Sequence, residues 1–556
     1  MTLRLDFVSP LPPVRSGIAD YSVDLLANLR EMADVRLIHL PGQPVAPELA
    51  AAWDLAGAEA VGGERLPLYQ MGNNRFHEAV HDLAMRHPGV LTLHDVVLHH
   101  LLLDRTLGRG DFYGYKESLI HDHGWVGEAA AVAKRWGAYG AAPVFALPAH
   151  RSLLRRQRGV LVHSEWAAAL VREEEPELRV RAVPMGVPLP PPADREAGLA
   201  MRRRLGLPAA APVVGSFGFQ TPIKRTELGI AALAAPGMER VHLLVVGEEA
   251  AATGLRQAAA RAGVGARVHF AGFLPFADLP AAIAAADLCL NLRYPTAGET
   301  SASLLRVMAA GRPAVVSDFA QFADLPDAIA VKVPLGGGGD GGSAAEAAEL
   351  GLRLARLLAE PGRLRAMGEA ARQHVRAHHD PRRAAAAVAA ACAEWAAAPP
   401  PVGPGEADRP PRVAPPSSVV WGRLAGEMEV RGAELPWREG ERRRLEVVLR
   451  NRGAARWAAG AAGAGGVALV VKLIHGGRDL LADRPWLPLS RDLAPGGEAR
   501  FAVDVRRPPG PPGVPYPDGV TRMPLSPDGI RLWIEPHLFG GLGLSQMGGP
   551  RWERDI

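Results

Sequence analysis

The sequence predicts an α/β chain of two doubly wound domains followed by an all-β sandwich, and three observations carry that prediction. Short apolar runs alternate with amphipathic helical stretches from residue 3 onward. The alternation restarts after a proline cluster at 188–193. Beyond a proline-rich run at 398–416 the helical patterns stop and only β-like segments remain.

In the first domain, taken as 1–190, Leu3 to Phe7 alternates at period two, Pro12-Pro13 and Gly17 break the run, and Asp20 to Met32 carries apolar residues at helical spacing. VRLIHL (35–40), VLTLH (90–94) and VLVHS (160–164) are further strands, the last leading into a helix at Glu165–Arg172. The second domain, 191–380, offers buried strands at 213–217, 242–247, 268–272, 287–292 and 314–318, with helices at 225–235, 251–262, 278–286 and 301–310 between them. Strand and helix units in such alternation build a parallel sheet covered on both faces. Two more helices, 344–376 and 381–397, follow the loop Gly336–Gly342. The run 398–416 is an extended linker. In 417–556 the segments 442–453, 466–477, 498–510 and 530–536 read as strands of an immunoglobulin-like sandwich, with hairpin turns at Asn451-Arg452-Gly453 and Pro495-Gly496-Gly497. Its tryptophans, Trp421, Trp437, Trp457, Trp486, Trp533 and Trp552, either fill the sandwich core or stack on sugar rings, and core filling is the stronger reading.

Composition narrows the function classes. At 556 residues the chain is too long for one core, and 48% hydrophobic with 22% charged residues describes an ordinary folded protein. A formal net charge of +4 is too small for an arm that neutralises nucleic-acid phosphates, but leaves a nucleotide or a lipid surface open as partner. Cys289 and Cys392, the only cysteines, each lie in an apolar or alanine-rich segment, which argues against a disulfide framework. No signal-like apolar stretch opens the chain and no window reaches about 18 uninterrupted apolar residues, so a cytoplasmic, non-spanning protein is expected.

In a doubly wound sheet, ligands bind beyond the carboxyl ends of the strands. After the first strand, Ser9 to Asp20 is a proline-stiffened loop in which Gly17 leads into a helix N-terminus; it suits a phosphate or sugar, or is an ordinary turn. It lacks Gly-x-Gly-x-x-Gly, which disfavours a nicotinamide dehydrogenase. His94-Asp95 follows VLTL: the imidazole could hydrogen-bond a substrate hydroxyl while the carboxylate or a backbone carbonyl fixes its tautomer. Taken singly, such a histidine is more often a satisfied core residue. His99-His100 and His121-Asp122-His123 invite a metal reading, which adjacent helical side chains pointing apart disfavour. His163 and Glu165 could line the floor between the domains. Gly218 to Arg225 opens a helix with Lys224 and Arg225. Cations there are unfavourable without an anion, which favours a bound diphosphate over a merely solvated pair. Arg293 to Ser303 offers one carboxylate, Glu299, with Thr300, Ser301 and backbone amides beside it. Glu299 could accept sugar hydroxyls, and Thr300 and Ser301 could hold phosphate oxygens. Glu299 could also be a helix cap.

Over residues 1–398 these pieces resemble the retaining glycosyltransferases of the GT-B fold, the group-1 or family 4 set. The resemblance rests on the Gly218 to Lys224 spacing, VVGEE at 245–249, VHFAGFLP at 268–275 and the stretch from LNLRYPTAGETS to LLRVMAAGRPAVVSD at 290–318. SPLPPVRSGIADYS, QMGNNRFH at 70–77 and LHD at 93–95 look like a bacterial subgroup of it. It implies two Rossmann-like domains facing across a cleft, a final helix at 381–397 crossing back, and no metal or other cofactor. A nucleoside-diphosphate sugar would be the donor and a glycan or glycolipid the acceptor, in cell-surface polysaccharide assembly with peripheral membrane association open. By the resemblance Lys224 contacts the diphosphate, Glu299 the donor sugar and His94 the sugar's reacting side, while the Gly17 loop closes over the donor. Two departures stand out. Eight residues after Glu299, where the family has a ribose-binding glutamate, stands Val307; aligned on the MAAG end, Arg306 takes that place and Gly298 the place of the first glutamate. Phe219 stands where many members carry a diphosphate-binding arginine, with Arg225 available to compensate. A catalytically silent sugar-nucleotide or glycan-binding scaffold and a metal-dependent hydrolase are the rival readings.

Overall fold

A computed structural model describes residues 2–135, 144–145, 147–191, 194–250, 253–335, 344–407, 426–434, 437–438, 440–453, 456–457, 467–475, 478–479, 486–506, 531–538, 542–543 and 552–555. The loop 336–342, most of the linker from 408 onward and Trp421 lie outside them.

The first seven strands are β1 (Arg4–Val8), β2 (Asp34–His39), β3 (Asp54–Gly57), β4 (Leu66–Met71), β5 (Val90–Leu93), β6 (Gly159–Val162) and β7 (Val180–Ala182). They form one parallel sheet in the order β3-β2-β1-β4-β5-β6-β7. The next six are β8 (Val213–Phe217), β9 (His242–Val246), β10 (Val268–Gly272), β11 (Leu288–Asn291), β12 (Ala314–Ser317) and β13 (Ala330–Val333), a second parallel sheet in the order β10-β9-β8-β11-β12-β13. Central strands such as β5, β8, β11 and β12 are buried throughout, which is why they read as continuous apolar runs. Asp6, fully buried on β1, is held by its register partner Arg36 on β2 through bonds of 2.9 and 3.1 Å. In each sheet the strand order reverses beside the first strand, between β1 and β4 and between β8 and β11, and these switch points open toward a ligand.

The helix Gly17–Leu29 starts three residues before the expected Asp20, because the Ser16 hydroxyl caps it by accepting from Ile18 N–H. The expected single helix 344–376 is two, Ala344–Leu358 and Pro361–His378, since Pro361 lacks the N–H needed to continue the first. Pro361 instead opens the second at its first position. The helix Pro381–Trp395 is capped by Asp380, packs against Gly17–Leu29 and lays the Trp395 indole where a side chain on Gly159 of β6 would stand. No described helix is long and apolar enough to cross a membrane.

The C-terminal region is antiparallel. Strands β14 (Gly426–Arg431), β15 (Arg442–Asn451) and β19 (Glu498–Arg506) make one sheet. In the other, β16 (Val467–His475) pairs with β17 (Arg478–Asp479), β18 (Trp486–Pro488) and β20 (Arg531–Leu538), and β20 with β21 (Leu542–Gly543) and β22 (Trp552–Asp555). Leu445, Val447, Leu469, Val471, Val503 and Ile534 from both sheets share one core. Trp437 and Trp457 are buried in this region's cores, as core filling requires. Asn451-Arg452-Gly453 is not a hairpin turn: β15 pairs with β14 and β19, and the Asn451 side chain accepts from Gly453 N–H and donates to Leu493 O.

Candidate functional site

A cavity of about 760 Å³ lies between the two parallel sheets, at the carboxyl ends of β1, β4, β5, β8 and β11. Of the residues singled out in the sequence, Gly17, His94, Gly218, Lys224, Glu299 and Thr300 line it; Gly298, Ser301, Arg225 and Arg306 do not.

Lys224 closes a one-turn 3-10 helix, Pro222–Lys224, after the β8 loop, and its ammonium reaches back to donate to the Phe217 carbonyl. Burial drives its pKa well below the usual lysine value, and nearby Arg293 lowers it further, against the pull of Glu299. Gly218 has φ +91°, and a Cβ there would stand 2.7 Å from Lys224 Nζ and 3.8 Å from Ser303 Oγ. Only glycine leaves that corner open, so peptide backbone, ammonium and hydroxyl converge on one anion-sized position. Arg225, with φ +53°, turns the other way and pairs at 2.6 Å with Glu346, both side chains buried. It does not compensate for the arginine missing at Phe219, whose ring lines the cavity half exposed.

The Glu299 carboxylate is spent on its own loop. Oε1 accepts from Arg293 at 2.7 Å, and Oε2 accepts from the Thr296 hydroxyl at 2.8 Å and Ala297 N–H at 3.0 Å. Ser301, not Glu299, caps the helix Ala302–Ala309, accepting from Leu304 N–H at 3.2 Å while donating to Asn291 Oδ1. Its hydroxyl is thereby taken up inside the loop. Gly298, expected to touch ligand, serves domain contact: it has φ +81°, and a Cβ would press within 2.8 Å of Val96 on the opposite domain. Arg306 is likewise no nucleotide ligand in this arrangement. Its guanidinium bridges the domains to Asp24 at 3.2 Å and lies over the Phe276 ring.

On the opposite wall His94 is held in a chain. His163 Nδ1–H donates to Val183 O at 2.9 Å, so its Nε2 accepts from His94 Nδ1–H at 3.2 Å, and His94 Nε2 is left to accept. Gln70 Oε1 stands 3.0 Å from Nε2, and because an oxygen cannot donate to an accepting nitrogen, the Gln70 amide is read turned over, with its N–H toward His94. Burial drives the His94 pKa well down, and that of His163 to about 4, so both rings are neutral. The expectation that Asp95 or a backbone carbonyl fixes the His94 tautomer is replaced by this Gln70–His94–His163 chain, and neither His94 nitrogen is left for substrate. Asp95, the next residue, faces the cavity. Burial first, and the neighbouring Glu299 charge second, raise its pKa to about 7. Of the other histidines, His99 bonds Leu147 O and the Tyr115 hydroxyl, His123 accepts from Ala149 N–H, His121 bonds Asp122 through Nδ1, and His100, which lines the cavity, meets the Asn73 amide at 3.1 Å. Among the described residues no three His, Cys, Asp or Glu side chains gather to hold a metal.

Arg293, Ser303 and Asn73 also line the site. The sequence quoted all three inside motifs without singling them out, because an i to i+6 pairing such as Arg293 with Glu299 follows the path of a loop and has no periodic signature.

Residues 211–335, which hold β8 to β13, match the family model of the group 1 glycosyl transferases. No curated protein matches the chain in sequence. Among solved structures, a sucrose-phosphate synthase from Thermosynechococcus elongatus is similar at 18% identity and a TM-score of 0.51, covering 71% of this chain and 100% of that one. Anabaena HepE in complex with UDP-glucose is similar at 16% identity and 0.49, covering 70% and 99%. WaaG, a glycosyltransferase involved in lipopolysaccharide biosynthesis, is similar at 17% identity and 0.48, covering 70% and 99%. The first two domains of the chain therefore have the GT-B fold, two Rossmann-like units, and the second of them carries the group 1 glycosyltransferase match.

Proposed function

We propose that the chain is a glycosyltransferase that moves a hexose from a nucleoside-diphosphate donor to a hydroxyl of a glycan or glycolipid acceptor, with retention. In this reading residues 1–190 hold the acceptor, residues 191–380 the donor nucleotide, and the helix in 381–397 ties the two. One observation carries it: among the described residues no carboxylate is within ion-pair distance of Lys224, whose part-buried amine stands beside the open Gly218 corner at a switch point. Burial disfavours its charge, and an anion bound there would restore it; a diphosphate fits. In the transfer the bond from the anomeric carbon to the diphosphate oxygen breaks, a bond to the acceptor oxygen forms on the same face, and the acceptor proton passes to the leaving diphosphate. Lys224 and Arg293 supply the positive charge that stabilises that leaving group, so the reading needs no metal and no other cofactor. Cell-surface polysaccharide assembly at a cytoplasmic membrane face is the setting it suits, with 417–556 as an immunoglobulin-like accessory domain.

The test is incubation of the full chain with a panel of radiolabelled sugar nucleotides and membrane extracts, scored for transfer and for nucleoside diphosphate release. Transfer from one donor is expected; neither transfer nor release from any donor overturns the reading. Within it, Lys224→Ala should weaken nucleoside diphosphate binding by about 1.5–3 kcal/mol, the worth of a charge-assisted bond, measured by calorimetry. A sugar-nucleotide-binding scaffold without turnover is the second reading, favoured by the protein bonds that occupy both His94 nitrogens. It predicts donor binding with no release.

A further inference from the structure

The wall opposite Lys224 holds a polar group that the reaction as described does not use. Among the described residues Asp95 accepts one hydrogen bond, from Asn73 N–H to Oδ2 at 2.9 Å, its Oδ1 accepts none, and the residue borders the cavity. The groups around it are committed: both Glu299 oxygens to their own loop, both His94 nitrogens to Gln70 and His163. Its place is fixed from two sides. Val97 N–H donates across the domains to Ala297 O at 2.9 Å, and Val96 O receives the buried His150 Nδ1 at 2.6 Å. That cross-domain bond sets Asp95 against the Glu299 loop. Lys224, Arg293, Glu299 and Asp95 line one and the same cavity. A ligand that anchors its diphosphate at Lys224 carries its next group, the sugar, into the space that Glu299 and Asp95 border.

We propose that Asp95 reads the transferred sugar: its unengaged carboxylate oxygen accepts from sugar hydroxyls, so the site takes a neutral hexose and rejects a hexuronate. The inference rests on the glycosyltransferase reading above and names the substrate class of the same site. Above about pH 7, where Asp95 is ionised, its carboxylate only accepts and therefore selects hydroxyl donors. A uronate carboxylate in the same place would face Asp95 with Glu299 beside it, and like charges juxtaposed in a desolvated site repel strongly. The side chain is pre-organised by Asn73 and by the cross-domain bond, so little ordering opposes the contact.

The experiment measures, by calorimetry on the full chain at about pH 8.5, where Asp95 is ionised, binding of UDP, GDP, ADP and dTDP alone, as hexose conjugates and as the matching hexuronate conjugates. The wild type should bind one nucleoside diphosphate, and its hexose conjugate about ten- to a hundredfold more tightly than the hexuronate. Asp95→Asn, nearly isosteric and still able to accept from Asn73 N–H, should keep the affinity for the free nucleoside diphosphate and lose that preference. Intact nucleotide binding with an unchanged hexose-to-hexuronate ratio overturns the role of Asp95. Absence of binding by every nucleoside diphosphate overturns the donor site itself, and this inference with it.

Discussion

His94 and Asp95 show how far residue types can be read and where geometry takes over. The sequence presents an imidazole and a carboxylate in succession after a buried strand, and chemistry makes the imidazole the natural substrate contact. Geometry then decides otherwise: both residues border the cavity just beyond β5, but His94 bonds to Gln70 and His163, whereas Asp95 accepts only from Asn73 N–H among the described residues. Nothing local announces that His163, 69 residues away, completes the chain. The same residue carries a pH prediction. Asp95 titrates at about 7 in the folded protein and near 3.9 when unfolded, so between those values the folded state holds the extra proton. Stability therefore falls as pH rises through that window, and the full cost of the buried charge is present above pH 7. Asp95→Asn removes that cost. Thermal unfolding should show the variant a few degrees more stable than wild type at pH 8, with no difference below pH 4; equal melting temperatures at pH 8 would contradict the burial of the charge.

At the scale of elements, the loop from Arg293 to Ser301 and the helix it starts are one unit. The sequence shows the strand, the helix and the Gly298-Glu299 turn between them, because each has a local signature in apolar runs, spacing and glycine. It does not show that Glu299 closes the loop on Arg293 and Thr296. The expected sugar contact and the expected cap both fall to this closure. Glu299→Gln should consequently cost stability as well as donor affinity, since Arg293 is left nearly buried beside a neutral amide. Losing one partner of such a pair costs about 3–5 kcal/mol when burial is complete, and solvent near the cavity will reduce that. Ser301→Ala should cost about 1 kcal/mol through the lost cap, with little change in nucleoside diphosphate affinity. Denaturant unfolding and calorimetry on both variants separate the two roles, and a Ser301→Ala variant with wild-type stability but weakened binding would return that hydroxyl to the ligand.

Across the whole molecule, topology was legible and the relation between the domains was not. Buried parallel strands produce apolar runs that survive in any context, so most strands of both sheets are foreshadowed; β3, β4, β7 and β13 are not, since β3 and β7 are short and incompletely buried, β4 carries Pro67 and Gln70, and β13 carries Lys332. Contacts between domains arise from single side chains on loops and helix faces, and Arg306 is the instructive case: its helix was visible, its partner was not. Among the described residues two ion pairs join the first two domains across the cleft, Arg15 to Glu248 at 2.7 Å and Arg306 to Asp24 at 3.2 Å. Their burial ranks them. Arg15 and Glu248 keep 68% and 47% of their side-chain surface exposed, so that pair is screened and contributes about 0–1 kcal/mol. Arg306 and Asp24 keep 14% and 20%, and the guanidinium also covers Phe276, so this pair is screened much less. Arg306→Ala should open the cleft, seen as a larger radius of gyration in small-angle scattering of the unliganded protein, whereas Arg15→Ala should change it little. Raising salt to about 0.5 M, where the Debye length falls to about half its physiological value, should erase the small Arg15 effect and leave most of the Arg306 effect. Equal, fully salt-sensitive effects from both variants would mean that the Arg306 pair is as solvated as the Arg15 pair, and that closure rests on the Val97–Ala297 backbone bond and the packing of Gly298 on Val96 instead.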